Sequence, residues 1–182
     1  MRSARRNSSG ACRAESGRRA RRGVAIDLML TSTMRALVLF LFLMSLLSCA
    51  GVRPTTLGIT EARFAPCPSS PNCVSSDDTD AAHRIAPLAL AVSAPEAWEA
   101  ARATVAALPR TRIITETTEY LHAECSSALF GFVDDLELHL RSAQGIIAVR
   151  SASRIGYGDL GVNRRRVERI RSLLAQSAVV HP

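Results

Sequence analysis

Between residues 135 and 142 the chain reads DLELHLRS, with leucine at every second position from 136 to 140. Strict alternation of this kind suits a single regular backbone. Successive side chains of a β-strand point to opposite faces, so Leu136, Leu138 and Leu140 share one face and Glu137, His139 and Arg141 the other. YLHAECSS (120–127) repeats the pattern, setting Leu121, Ala123 and Cys125 against His122 and Glu124. RTRIITET (110–117) is short and β-branched, and GIIAVRSAS (145–153) is an apolar run that turns polar near its end. Gln144-Gly145 supplies a turn between the last two segments. Alternation in consecutive short strands predicts an antiparallel sheet with one face covered and one solvated.

Two helices frame these strands. SAPEAWEAARATVAAL (93–108) brings Trp98, Ala101, Val105 and Leu108 to one side at helical spacing, and Pro109 ends it. Ser93 and Glu96 have the spacing of a capping box, and Pro95 falls in the first turn, where its missing N–H costs nothing. Residues 162–176 place Val167, Ile170 and Leu174 on one side. The expected fold class is α+β: a two-layer sandwich of four antiparallel strands flanked by two helices. Residues 83–92 could add a short edge strand, because Pro87 bars a central one.

Charge belongs to a different part of the chain. The 23 basic residues are all arginine; nine lie before residue 49 against two acids, and the remainder balances 14 arginines with 14 acids. The net charge of +7 is therefore a property of the leader, and no nucleic-acid partner is expected of the folded part. MRALVLFLFLMSLLSC (34–49) has a short charged start and about a dozen apolar residues, the form of a secretory signal and too short for a spanning helix. It closes on Leu46-Leu47-Ser48-Cys49, which resembles the bacterial lipobox; that resemblance implies lipidation at Cys49 and a mature chain that starts there. Residues 1–33 are expected to be an over-extended gene start or a disordered leader, 34–48 a signal peptide, 49–63 a tether and 64–182 one α+β domain. The expected location is the cell envelope, anchored by lipid to the outer membrane and facing the periplasm.

The loop CPSSPNC holds Cys67 and Cys73 in an exported protein. A disulfide leads here, with free thiols and a metal pair as the alternatives. Asp77, Asp78, Asp80 and His83 lack calcium-loop spacing and read as a solvated turn. His122 and His139 are tied to no nucleophile motif, and no phosphate loop or dinucleotide fingerprint occurs. No metal or cofactor is expected. One polar cluster is different in kind: Asp134, Asp135, Arg150, Arg154, Asp159, Asn163 and Arg164 lie where strands end and the last helix begins. Asp159 or Asn163 can cap that helix. In the second case its first turn holds three arginines, which oppose the helix dipole by roughly 0.3–1 kcal/mol each unless acids or a bound anion lie near. Asp134 and Asp135 are the acids at hand, and their pairing with arginine would tie helix to sheet.

CPSSPNCVSS (67–76), FVDDLE (132–137) and RSASRIGYGDLGVNRRRVE (150–168) occur in this order in a family of uncharacterised bacterial and plastid proteins, catalogued as domain of unknown function 1499. The chain resembles that family over about residues 64–176. The resemblance implies that the cysteine loop, the Asp134-Asp135 pair and the Arg/Asp/Asn run are shared features, and it brings no activity. The function expected on these grounds is a non-enzymatic, membrane-tethered envelope domain. It would bind a small anionic ligand or an envelope protein at the arginine-rich end of the sheet. The alternative is an enzyme acting on an anionic envelope substrate, with Asp134 or Asp135 as acid/base and Arg150, Arg154 and Arg164 holding charge. Replacing Cys49 with serine is expected to abolish incorporation of radiolabelled palmitate in a bacterial host; unchanged labelling would exclude the lipobox reading.

Overall fold

A computed structural model describes residues 34–40 and 51–182. Residues 34–40, inside the expected signal, are helical; residues 1–33 and 41–50, including Cys49, lie outside the described residues. Among the described residues no helix is long and apolar enough to cross a membrane.

Residues Ser48–Pro182 form a unit of their own. It begins with a small hairpin of β1 (Ile59–Thr60) and β2 (Arg63–Phe64). There follow β3 (Cys73–Ser75), β4 (Leu88–Ala89), α1 (Ala94–Ala106), β5 (Thr111–Glu116), β6 (Tyr120–Ser126), β7 (Val133–Arg141), β8 (Ile146–Ser153) and α2 (Val162–Gln176). The main sheet runs β3-β8-β7-β6-β5, with β4 also on β8, and every pairing is antiparallel. It has six strands where the alternation pattern predicts four. The reason is the outer edge of β8, which would otherwise present a row of unpaired N–H and C=O groups. Cys73–Ser75 covers Arg150–Ala152, and Leu88–Ala89 covers Ile146 and Ile147. Both additions are too short to leave a period of two in the sequence. Cys67 is joined by a disulfide to Cys73, the first residue of β3, with Cα atoms 5.6 Å apart.

One sheet face meets both helices. Leu121, Ala123 and Cys125 of β6, Leu136, Leu138 and Leu140 of β7 and Ile147 and Val149 of β8 pack with Trp98, Ala101 and Val105 of α1 and Val167, Ile170 and Leu174 of α2. The positions named from β6, β7 and the two helices were expected inside; in β8 the sequence showed only an apolar run. The Trp98 indole N–H donates to the Thr117 carbonyl at 3.3 Å, which satisfies its one polar group. Gly145 turns β7 into β8 with a φ of 65°, a conformation that disfavours any side chain. The capping box is not made: Ser93 is extended at the start of α1, but its hydroxyl bonds no helix N–H.

The other sheet face departs from expectation. His122 is 3% exposed, Asp135 1% and Glu137 1%, although alternation assigns them to solvent. Residues 53–64 explain this, for they lie across that face. Arg53 bonds Glu124, the Gly58 N–H donates to Glu137 at 2.8 Å, and the Phe64 ring stands edge-on to His139. Part of the segment read as a tether therefore makes domain contacts.

The whole apolar cluster lies between Val74 and Val180, and the covering strand, hairpin and disulfide start no earlier than residue 51. Among the described residues, residues 51–182 thus contain the core and the contacts that cover the sheet. They are expected to unfold in urea as one cooperative transition. Leu138→Ala, at a fully buried position, should lower that stability by about 2–5 kcal/mol. A loss below about 1 kcal/mol would place Leu138 outside the core.

Candidate functional site

The strand register sorts the charged residues between the two faces. Residues directly opposite one another on neighbouring strands share a face. Glu124 stands opposite Asp135, and His122 opposite Glu137, which in turn faces Arg150. Cys125 stands opposite Asp134, which pairs with Ser153 on the helix-covered side. The two adjacent aspartates therefore point to opposite faces, and the cluster inferred from the sequence becomes two separate constellations.

On the covered polar face, Arg154 is the hub. Its guanidinium is bidentate to Asp135 at 2.9 and 2.7 Å, and Nη2 also reaches Glu124 at 2.6 Å. Glu124 accepts two further arginines, Arg53 at 2.6 Å and Arg112 at 3.0 Å. His122 Nε2 lies 2.7 Å from the second Asp135 contact, Oδ1. Arg150 turns instead to Glu137 at 3.0 Å, where the Tyr120 hydroxyl and the Gly58 N–H also donate. Asp77 clamps the near corner: it takes both terminal nitrogens of Arg141 at 2.8 and 2.6 Å and the Phe64 N–H. Among the described residues, Arg150 Nε is the one buried side-chain polar atom without a partner.

These contacts set the acidities. Burial pushes the Asp135 carboxyl upward, but the hydrogen bonds and charges of Arg154 and His122 outweigh it and the pKa falls below its ordinary value. Glu124 follows the same balance: burial raises it, three arginines lower it, and it settles at about 2. Asp77 is lowered too, burial being overcome chiefly by Arg141. Burial and the charge of Glu137 push the Tyr120 phenol well above its usual range.

On the helix side, Asn163 is fully buried and joins three elements. Its amide donates to the Asn72 carbonyl, Ser153 Oγ and Asp159, while its oxygen accepts from Ser151 and Arg166. Arg166 continues to Asp134 at 2.6 Å, the ion pair that ties α2 to the sheet. Asp159 accepts from the N–H groups of Gly161 and Asn163, both at 2.8 Å, and so caps α2 from outside it. Arg164 belongs to neither constellation; it donates to the carbonyls of Ala82 and Arg84.

Beside Asp134 opens a cleft of about 360 Å3. Arg110, Thr111 and Ser126 form one wall, and Arg165, Arg166 and Arg169 of α2 the other. Cys125, a free buried thiol opposite Asp134 in the strand register, is among its lining residues, and burial pushes that thiol's pKa up. Arg110, Arg165 and Arg169 meet no carboxylate within salt-bridge distance among the described residues. Arg165 donates only to the Leu160 carbonyl and Arg110 to that of Ser126. The sequence placed Arg165 in the first turn of α2 but assigned none of the three to the site. The i,i+4 spacing of Arg165 and Arg169 signals a shared helix face, but nothing local shows that acids are out of reach. No group of three or more His, Cys, Asp or Glu is placed to hold a metal among the described residues.

A family model described as Protein of unknown function (DUF1499) matches residues 63–174. The chain belongs to this family. The DUF1499 match takes in every strand from β2 to β8, the disulfide loop, all four cleft arginines and most of α2. No match is found among curated proteins or among solved structures.

Two measurements separate the structural charges of this DUF1499 domain from the free ones. Arg154→Ala leaves Asp135 buried without its cation and should cost about 3–5 kcal/mol in urea unfolding. Arg169→Ala, at a site with no partner to lose, should stay within about 0.5 kcal/mol. For acid, the sign follows from the lowered pKa values. The unfolded chain takes up protons first, so the stability from Glu124, Asp135 and Asp77 is complete at neutral pH. It is expected to decline as pH drops through 4.5, the ordinary Glu value, and to be lost near 2. A stability curve flat down to pH 3 would contradict the network.

Proposed function

We propose that this protein is an exported, membrane-tethered envelope domain that binds an anionic ligand in the arginine-lined cleft, without catalysing a reaction on it. One observation carries the reading: three cleft arginines lack carboxylate partners in a domain that pairs most of its others. An arginine fork left unpaired in a concave site favours carboxylate or phosphate oxygens, which it can meet with two parallel hydrogen bonds. A volume of about 360 Å3 suits a small ligand or a headgroup.

The balance between binding and catalysis rests on the acids. A general acid or base needs a carboxylate free to exchange its proton with substrate. Asp134, the carboxylate of the cleft, is engaged by Arg166, and Asp135 faces the opposite side of the sheet in the grip of Arg154. Cys125 is no better placed as a nucleophile, since burial disfavours its thiolate. The signal-like segment and Cys49 support the envelope location.

Thermal unfolding with and without inorganic phosphate or pyrophosphate tests the reading. A ligand at tenfold its Kd adds about 1.4 kcal/mol, a rise of roughly 3–8 °C for a domain of this size. The rise should vanish in an Arg165→Ser/Arg169→Ser variant whose ligand-free melting temperature matches that of the native protein. Equal shifts in both proteins, or none in either, would overturn it.

A further inference from the structure

The cleft opens beside two loops that leave large apolar side chains bare. In the β6–β7 hairpin, Leu129 is 81% exposed, and Phe130 and Phe132 stack against each other with ring centres 5.5 Å apart. In the connection from β8 to α2, Tyr157 and Leu160 are 78% and 93% exposed. The register places both loops at one end of the sheet: Ser126 pairs with Val133, Asp134 with Ser153, and the Arg154 N–H donates to the Val133 carbonyl. Ala128 of the first loop and Val162, which follows the second, both line the cleft. Residues 127–132 carry no charge, and the one acid in the second loop, Asp159, is occupied capping α2.

The chain also enters the domain at this end. Gly51 lies so close against Ile155 and Arg154 that a Cβ there would come within 2.9 Å of Ile155 Cγ2, and its φ of +67° suits glycine. Cys49, the residue expected to be lipidated, precedes it by two positions. An acyl anchor on Cys49 would leave the domain beside its apolar tips.

We propose that this end docks on an anionic phospholipid bilayer. Leu129 and Phe130 enter the boundary between headgroups and acyl chains, while Arg110, Arg165 and Arg169 take lipid phosphates from the cleft side. The proposal rests on the anion-binding reading above and names its ligand as a phosphodiester headgroup presented on a membrane. The pattern is that of interfacial binding, in which buried apolar area and attraction to anionic lipid act together. The apolar tips alone would suit a protein partner or a second copy of the chain. Unpaired arginines beside them and a chain entry aimed at the same end favour the bilayer.

Flotation of residues 51–182, which hold the whole core and lack the apolar leader, with phosphatidylcholine vesicles tests this. With phosphatidylglycerol present the domain should float, and without it remain in solution. Added salt should weaken the binding, as should each arginine removed, by about fivefold. A Leu129→Ser/Phe130→Ser variant should bind these vesicles at least tenfold less well yet keep the thermal shift with phosphate. Flotation independent of phosphatidylglycerol, or unaffected by the tip variant, would overturn the proposal. So would a dimer in sedimentation that the tip variant dissociates, with no lipid dependence, because a second copy would then be the occupant. If the phosphate shift persists without flotation, the membrane proposal fails and anion binding stands; if both are missing, both fail.

Discussion

Arg154 is the charge on which the rest of this structure depends. It lies at the end of β8 with 5% of its side chain exposed, and it holds Asp135 and Glu124 from two neighbouring strands. A guanidinium withdrawn from water at that depth is tolerable only when its donors meet carboxylates in good geometry. Three strands must therefore be in register before the charge is neutralised. Arg53 adds to Glu124 from the N-terminal segment, so closure of the polar face belongs to the same event. An all-apolar replacement could be as stable, but it would not link strand register to the covering segment in this way.

This economy gives the remaining arginines their meaning. Arg141, Arg150, Arg154 and Arg166 are engaged by acids inside the domain, and Arg164 and Arg171 by carbonyls at the ends of loops. Of the arginines that meet no acid among the described residues, three gather in one cleft. Apolar loop tips lie beside that cleft, at the end where the chain enters the domain.

Much of this architecture was legible in the residues. The leucines of DLELHLRS and the alternation of YLHAECSS located β6 and β7 within a residue or two, and Val167, Ile170 and Leu174 marked α2. The added strands were not legible: Leu88–Ala89 is two residues long, and Cys73–Ser75 is buried throughout and does not alternate. The pairing of Asp134 and Asp135 with arginines was anticipated; that they act on opposite faces follows from the same period of two, since adjacent strand residues cannot share a face. Arg165 and Arg169 were indistinguishable from Arg164 by type and position. Only the fold shows that Arg165 and Arg169 line the cleft while Arg164 reaches the carbonyls of Ala82 and Arg84.

The sequence by itself determined what is local: which residues form strands, which alternate onto a common face, where two helices run, and that the basic excess sits in the leader. These follow from periods of 2 and 3.6 and from composition, which need no partner to be read. Tertiary structure alone decided what covers each face and which charges stay free. Glu124 is met by Arg53 from 71 residues away and Glu137 by Gly58 from 79, across a segment with no periodicity to announce it. Alternation says that His122, Asp135 and Glu137 leave the apolar core. Whether they then meet water or protein depends on where a distant, patternless stretch of chain comes to lie.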